Sequence, residues 1–176
     1  DIPKQKEGEW IDHYEGLGIT YSKDDGKTWS NTELLYNYGR HHPSTVLLPS
    51  GRLVMTYVVR KGYIDTAEGF PQFGIEAIIS DDNGQSWDLD HRYILHWWHG
   101  DRTDNDKWWT SSQATSTVLL PDGDLLTTIG TGYRSKASDK PNQPGPRDAG
   151  LVRWRLSDAP LDDTTTITNA QFESEL

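Results

Sequence analysis

SKDDGKTW, Ser22–Trp29, returns 58 positions later as SDDNGQSW, Ser80–Trp87. Both copies place Ser first, Asp third, Gly fifth and Trp eighth. Each residue type suits a closed turn. Asp24 and Asp82 can accept hydrogen bonds from turn N–H groups, as in Asx turns. Gly26 and Gly84 supply backbone angles that other residues resist. Ser22 and Ser80 can satisfy a backbone group where a strand ends. Trp29 and Trp87 are expected to tuck beside neighbouring strands. The motif therefore reads as a hairpin staple between outer strands, written once per structural repeat.

A second repeat alternates with the first. HPSTVLLPSGRLVMTYVVR (42–60) aligns with ATSTVLLPDGDLLTTIGTG (114–132), and the six letters STVLLP are identical at an offset of 72. LLPSGRLVM and LLPDGDLLT have the form apolar run, Pro-x-Gly, apolar run, which predicts β-hairpins. GLGITYS and GIEAIIS are further short runs rich in β-formers. Gly16 and Gly74 each stand six residues before the Ser of their turn. GLVRWRLSDAP, from Gly150, keeps a Gly and Ser157–Asp158 but lacks the later Gly and Trp, and reads as a decayed third copy. The stretch 134–150, rich in Pro, Gly and charge, predicts a flexible surface loop. NTELLYNYGRHH and DLDHRYILHWWHGDRTDNDKWW read as connections from an outer strand to the next inner one. No stretch of ten residues shows helical periodicity.

The expected class is all-β. Units of four strands recurring every ~60–75 residues match the arithmetic of β-propeller blades. The predicted organisation is the end of one blade with the first turn over 1–36, a second blade over 37–105, a third over 106–160 and a tail over 161–176.

Composition narrows the partners. With 17 basic and 27 acidic side chains, the net charge is −10, which disfavours nucleic acid and anionic membranes. The absence of Cys excludes disulfides, thiolate nucleophiles and Cys-ligated metals. No apolar run approaches the ~18 residues of a membrane span. The polar start DIPKQKEGEW shows no signal peptide and reads like the middle of a longer chain. Eight Trp and eight Tyr against three Phe suit strand packing and also suit stacking on sugar rings.

Ser-x-Asp-x-Gly-x-x-Trp, together with the PSTVLLPSGRLVMTY hairpin, resembles the Asp-box, or bacterial neuraminidase repeat, of the sialidase superfamily. The likeness is to bacterial sialidase-like proteins and covers roughly residues 10–158. It implies about half of a six-bladed propeller, so further blades or a second chain would close the ring. It also implies a secreted or periplasmic protein acting on an anionic, sialic-acid-like sugar at the centre of the ring, with no cofactor and no metal. The box itself occurs in proteins of several activities and informs on fold more than on chemistry.

In that family three arginines bind the substrate carboxylate, and a Tyr–Glu pair with an Asp does the chemistry, an exception to two-carboxylate hydrolysis. The family's Glu and Tyr stand about nine residues before the hairpin Gly. Here those positions are His42 and Ala114, so the expected catalytic set shifts to His42 and His41, with Tyr133. A histidine can exchange protons near neutral pH. The two adjacent histidines are expected to point to opposite sides of their strand. Arg60, Arg134 and Arg40 are the candidate carboxylate-binding groups, because a guanidinium grips a carboxylate with a two-point fork. Tyr57, Gln113, Trp98 and Trp109 complete the candidate substrate-binding set. Glu76, inside a strand, reads as structural. Two other readings stay open: a carbohydrate-binding propeller without catalysis, and a propeller lyase acting on uronate polymers.

Overall fold

The computed structural model describes residues 14–59, 72–99, 115–131 and 148–156. Among these there are nine strands and no α-helix: β1 (Leu17–Ile19), β2 (Glu33–Tyr36), β3 (Arg40–Leu47), β4 (Leu53–Val59), β5 (Gln72–Ser80), β6 (Tyr93–His99), β7 (Thr115–Leu119), β8 (Leu125–Thr131) and β9 (Asp148–Trp154). They form three antiparallel sheets in chain order: β1-β2, β3-β4-β5-β6 and β7-β8-β9. No described helix is long and apolar enough to cross a membrane.

Each sheet takes its strands in chain order, and two of the hairpins are closed by local turns. In the β3–β4 hairpin, Gly51 N–H donates to Leu48 O (2.9 Å) and Leu48 N–H donates to Arg52 O (2.8 Å). The β7–β8 hairpin repeats this with Gly123 to Leu120 (3.0 Å) and Leu120 to Asp124 (2.8 Å). Gly51 and Gly123 have φ of 89° and 87°, the left-handed step that closes a three-residue hairpin loop. Pro49 and Pro121 precede that step, where a fixed negative φ suits the first turn position.

The two eight-residue turns close by the same bonds. Ser22 Oγ accepts from Gly26 N–H (2.7 Å) and Asp24 Oδ1 accepts from Thr28 N–H (2.8 Å). Ser80 Oγ accepts from Gly84 N–H (2.8 Å) and Asp82 Oδ1 from Ser86 N–H (2.8 Å). Two further contributors had not been singled out in the sequence. The hydroxyls of Thr28 and Ser86 donate to the second carboxylate oxygen of Asp24 and Asp82 (2.7 and 2.6 Å). Asp25 and Asn83, both at φ 58°, take the left-handed step before each Gly, a conformation that Asp and Asn tolerate best among non-glycine residues.

These bonds favour the charged carboxylate. The Ser86 hydroxyl first, then the Ser86 amide, hold the Asp82 carboxyl at about 2, against about 3.9 in an unfolded chain. A depressed acid stabilises the fold in full above the unfolded value and ceases to do so as pH falls through the folded one. The stability difference between the parent and Asp82→Asn is therefore expected to be constant near neutrality and to vanish between about pH 4 and pH 2. Urea midpoints over a pH series measure it.

In the middle sheet β4 (LVMTYVV) is buried on both faces from Val54 to Val59, and its residues are mostly apolar instead of alternating. Cross-strand partners share a face. Val54 and Val58 of β4 and Ile75 and Ala77 of β5 pack with Leu125 and Ile129 of the third sheet. Met55, Tyr57, Val59 and Ile78 face the first sheet and pack with Leu17 and Tyr36. The first strands of the second and third sheets meet directly: Thr117 N–H donates to Ser44 Oγ (3.0 Å), and the hydroxyls of Thr56 and Thr117 lie 2.7 Å apart.

Three sequence expectations change. Trp87 packs against the core between the first two sheets, but Trp29 is 62% exposed. Its indole N–H donates to Gly26 O of its own turn (3.1 Å). The segment read as a loop to residue 150 ends sooner, since Asp148–Gly150 already pair in β9 with Ile129, Gly130 and Thr131. The two segments read as connections contain the strands β2 and β6.

Candidate functional site

Arg40, His41 and His42 open β3, at the end of the second sheet opposite its hairpin turn. Directly beneath them a polar row crosses the sheet on the face turned towards β1-β2. It runs from Arg40 of β3 to Tyr57 of β4, Glu76 of β5 and Arg92 just before β6. The antiparallel register sets Tyr57 opposite Glu76 and Arg40 opposite Val59, two residues along β4.

Tyr57 Oη donates to Glu76 Oε2 (3.1 Å) and lies 2.8 Å from Tyr36 Oη, which reaches across from β2. The carboxylate also faces two guanidiniums. Arg40 Nε stands 3.4 Å from Oε2, and Arg92 Nη1 stands 3.3 Å from Oε1. The Arg40 guanidinium also lies over the Tyr36 ring, 5.2 Å from its centroid. Arg40 is 1% exposed and Tyr57 is fully buried, whereas the Arg92 side chain is 39% exposed. Burial above all, and then the Glu76 charge, push the Tyr57 phenol far up. Burial likewise raises Tyr36. Both phenols stay protonated at neutral pH, so in this arrangement Tyr57 is a donor to Glu76 and not a phenolate nucleophile.

The histidines depart from simple strand geometry. The β3–β4 register slips between His41 and Ser44, and His42 takes φ 54°. Together the slip and the left-handed step suspend the usual alternation. The two rings, expected on opposite sides, instead stack with centroids 5.0 Å apart at 28°. His41 is buried, with Nδ1 4.0 Å from Glu15 Oε2. His42 is exposed. A left-handed non-glycine residue costs roughly 1–2 kcal/mol, and such outliers gather at functional sites. His42→Gly is therefore expected to fold at least as stably as the parent, and His42→Val to lose about 1–2 kcal/mol. Thermal or urea unfolding reads both.

The structure thus brings together Arg40, His41, His42 and Tyr57 and adds Glu76, Tyr36 and Arg92. Arg40 and Tyr57, read as substrate-binding, do not present themselves to solvent. Arg40 is tied to Glu76, and Tyr57 has no open ring face for stacking. Arg60, Gln113, Trp109, Tyr133 and Arg134 lie outside the described residues, and Trp98 is placed only as a backbone position in β6. The carboxylate–phenol pairing had no sequence signal, because the register that joins Tyr57 to Glu76 depends on the intervening segment 60–71.

No protein-family model matches the chain, and no curated protein matches it. The functional reading therefore rests on the chain's own residues.

Proposed function

We propose that the three sheets are successive blades of a sialidase-type propeller. On this reading the chain is a sialidase-like carbohydrate-active protein, a glycoside hydrolase acting on an anionic, sialic-acid-like sugar at the corner where β3 begins. One observation carries the reading: a strained, exposed His42 stacked on a buried His41, at the entrance of the strand whose partner strand meets the next sheet. His42 is exposed to solvent, and it takes the proton-transfer role. His41 backs it, with the Glu15 carboxylate at ion-pair distance. Arg40 contributes by fixing the start of β3 through its ion pair with Glu76, a carboxylate that Arg92 also contacts.

The identical bonding of the two turns supports the blade reading, as does the direct meeting of β3 and β7. The sealed Tyr57 favours a second reading, in which the corner binds a saccharide without cleaving it. A sialoside and a uronate polymer, each incubated with the protein, test both. Release of free sialic acid supports the hydrolase. A rise in ultraviolet absorbance from an unsaturated uronate supports elimination. Saccharide binding with neither product supports the binder, and no binding at all ends the carbohydrate reading.

A further inference from the structure

With His42 read as the acting group of the corner, we infer that the buried hydroxyls of Thr56, Thr117 and Thr127 are positioning residues. They act through Ser44 to hold the start of β3, and so the His42 ring, in place.

His42 has a conformation that its surroundings must impose. Its φ of 54° is disfavoured for a residue with a side chain, and the following Pro43 favours extended backbone at this position. Such a step persists only where the structure around it over-determines it. On one side, Arg40 is held by Glu76. On the other, the β3–β4 pairing resumes at Ser44, opposite Thr56, and Ser44 is gripped twice. Its Oγ accepts the Thr117 N–H (3.0 Å), and its carbonyl accepts from Thr56 Oγ1 (3.4 Å).

The second grip ends a longer chain of bonds. Trp154 Nε1 donates to Thr127 Oγ1 (2.9 Å). Thr127 Oγ1 lies 2.9 Å from Thr117 Oγ1, which lies 2.7 Å from Thr56 Oγ1. The two ends fix the direction of the whole chain. An indole N–H only donates, a carbonyl only accepts, and each threonine hydroxyl has a single hydrogen. The hydrogen of Thr56 goes to Ser44 O, so Thr117 donates to Thr56 and Thr127 donates to Thr117. Every donor therefore points the same way, from β9 through β8, β7 and β4 to β3. Bonds aligned in this way strengthen one another. Thr56 and Thr127 are fully buried and Thr117 is 5% exposed, so a hydroxyl that lost its partner would be costly. The chain thus seats the third sheet on the second in one arrangement, and its last bond lands two residues from His42. Burial alone does not call for these hydroxyls. The offset of 72 carries Thr127 to Met55, which packs in the apolar cluster between the first and second sheets.

The test removes the hydroxyls as a unit. Thr56→Val, Thr117→Val and Thr127→Val made together replace bonded partners by apolar groups of similar shape, a change that costs little, so the urea midpoint is expected to stay close to that of the parent. The imidazole NMR signals of His41 and His42, recorded without saccharide, are expected to move in this triple variant and to stay in place in Thr117→Ser, which keeps the hydroxyl. Ser44→Ala releases the other grip and is expected to move the same signals, which keeps the test decisive should the triple variant not fold. With a sialoside, the triple variant is expected to lose about 10²-fold in kcat with KM unchanged, the effect of a displaced reacting group. Imidazole signals that stay in place in the folded triple variant, or in Ser44→Ala where the triple variant does not fold, overturn the inference whatever happens to stability. Signals that move while even the parent leaves the sialoside intact uphold the positioning and count against the saccharide reading alone.

Discussion

Replacing Glu76 by alanine is expected to cost about 3–5 kcal/mol of stability, the loss that follows when one partner of a buried ion pair is removed. The carboxylate is enclosed, and Arg40 beside it is 1% exposed, so its charge would stay in the interior without the group that balances it. Tyr57 would lose its acceptor at the same time. Arg92 contributes less, because its partly exposed guanidinium keeps access to water. Domains of this kind are stable by only about 5–15 kcal/mol, so a large drop in the urea midpoint is the readout. Arg40→Met combined with Glu76→Gln is expected to lose less than the sum of the two single changes, since both charges leave together. Strict additivity would show that Arg40 and Glu76 do not act as a pair.

His42→Ala is expected to reduce turnover of the sialoside by about 10²–10⁴, the usual contribution of a positioned proton-transfer group. Its expected effect on stability is small, because the ring is exposed and its removal gives up a single stacking contact, with His41. Unchanged turnover would remove His42 from the reaction and leave the corner as a binding surface.

The parts of the fold written in local chemistry were legible in the sequence. The Pro-x-Gly hairpins at 48–52 and 120–124 and the eight-residue turns are each closed by residues close in the chain. Spacing and residue type were enough to expect them, and the all-β class followed from the same signals. What stayed hidden depends on register and on neighbouring sheets. Trp29 and Trp87 occupy the same motif position, yet Trp87 packs against the core beside the first sheet while Trp29 is exposed. His41 and His42 obeyed the alternation rule until the slip between His41 and Ser44 broke it. Glu76 looked like an ordinary strand residue, because its partners come from β3, β4 and the approach to β6.

The central claim is that an anionic sugar binds at the start of β3. Imidazole resonances followed by NMR during a titration with a sialoside test it most directly, since the chain holds only six histidines. The account predicts saturable shifts of the His41 and His42 signals, with the effect lost in His42→Ala. Saturable binding that leaves both rings unmoved would contradict it.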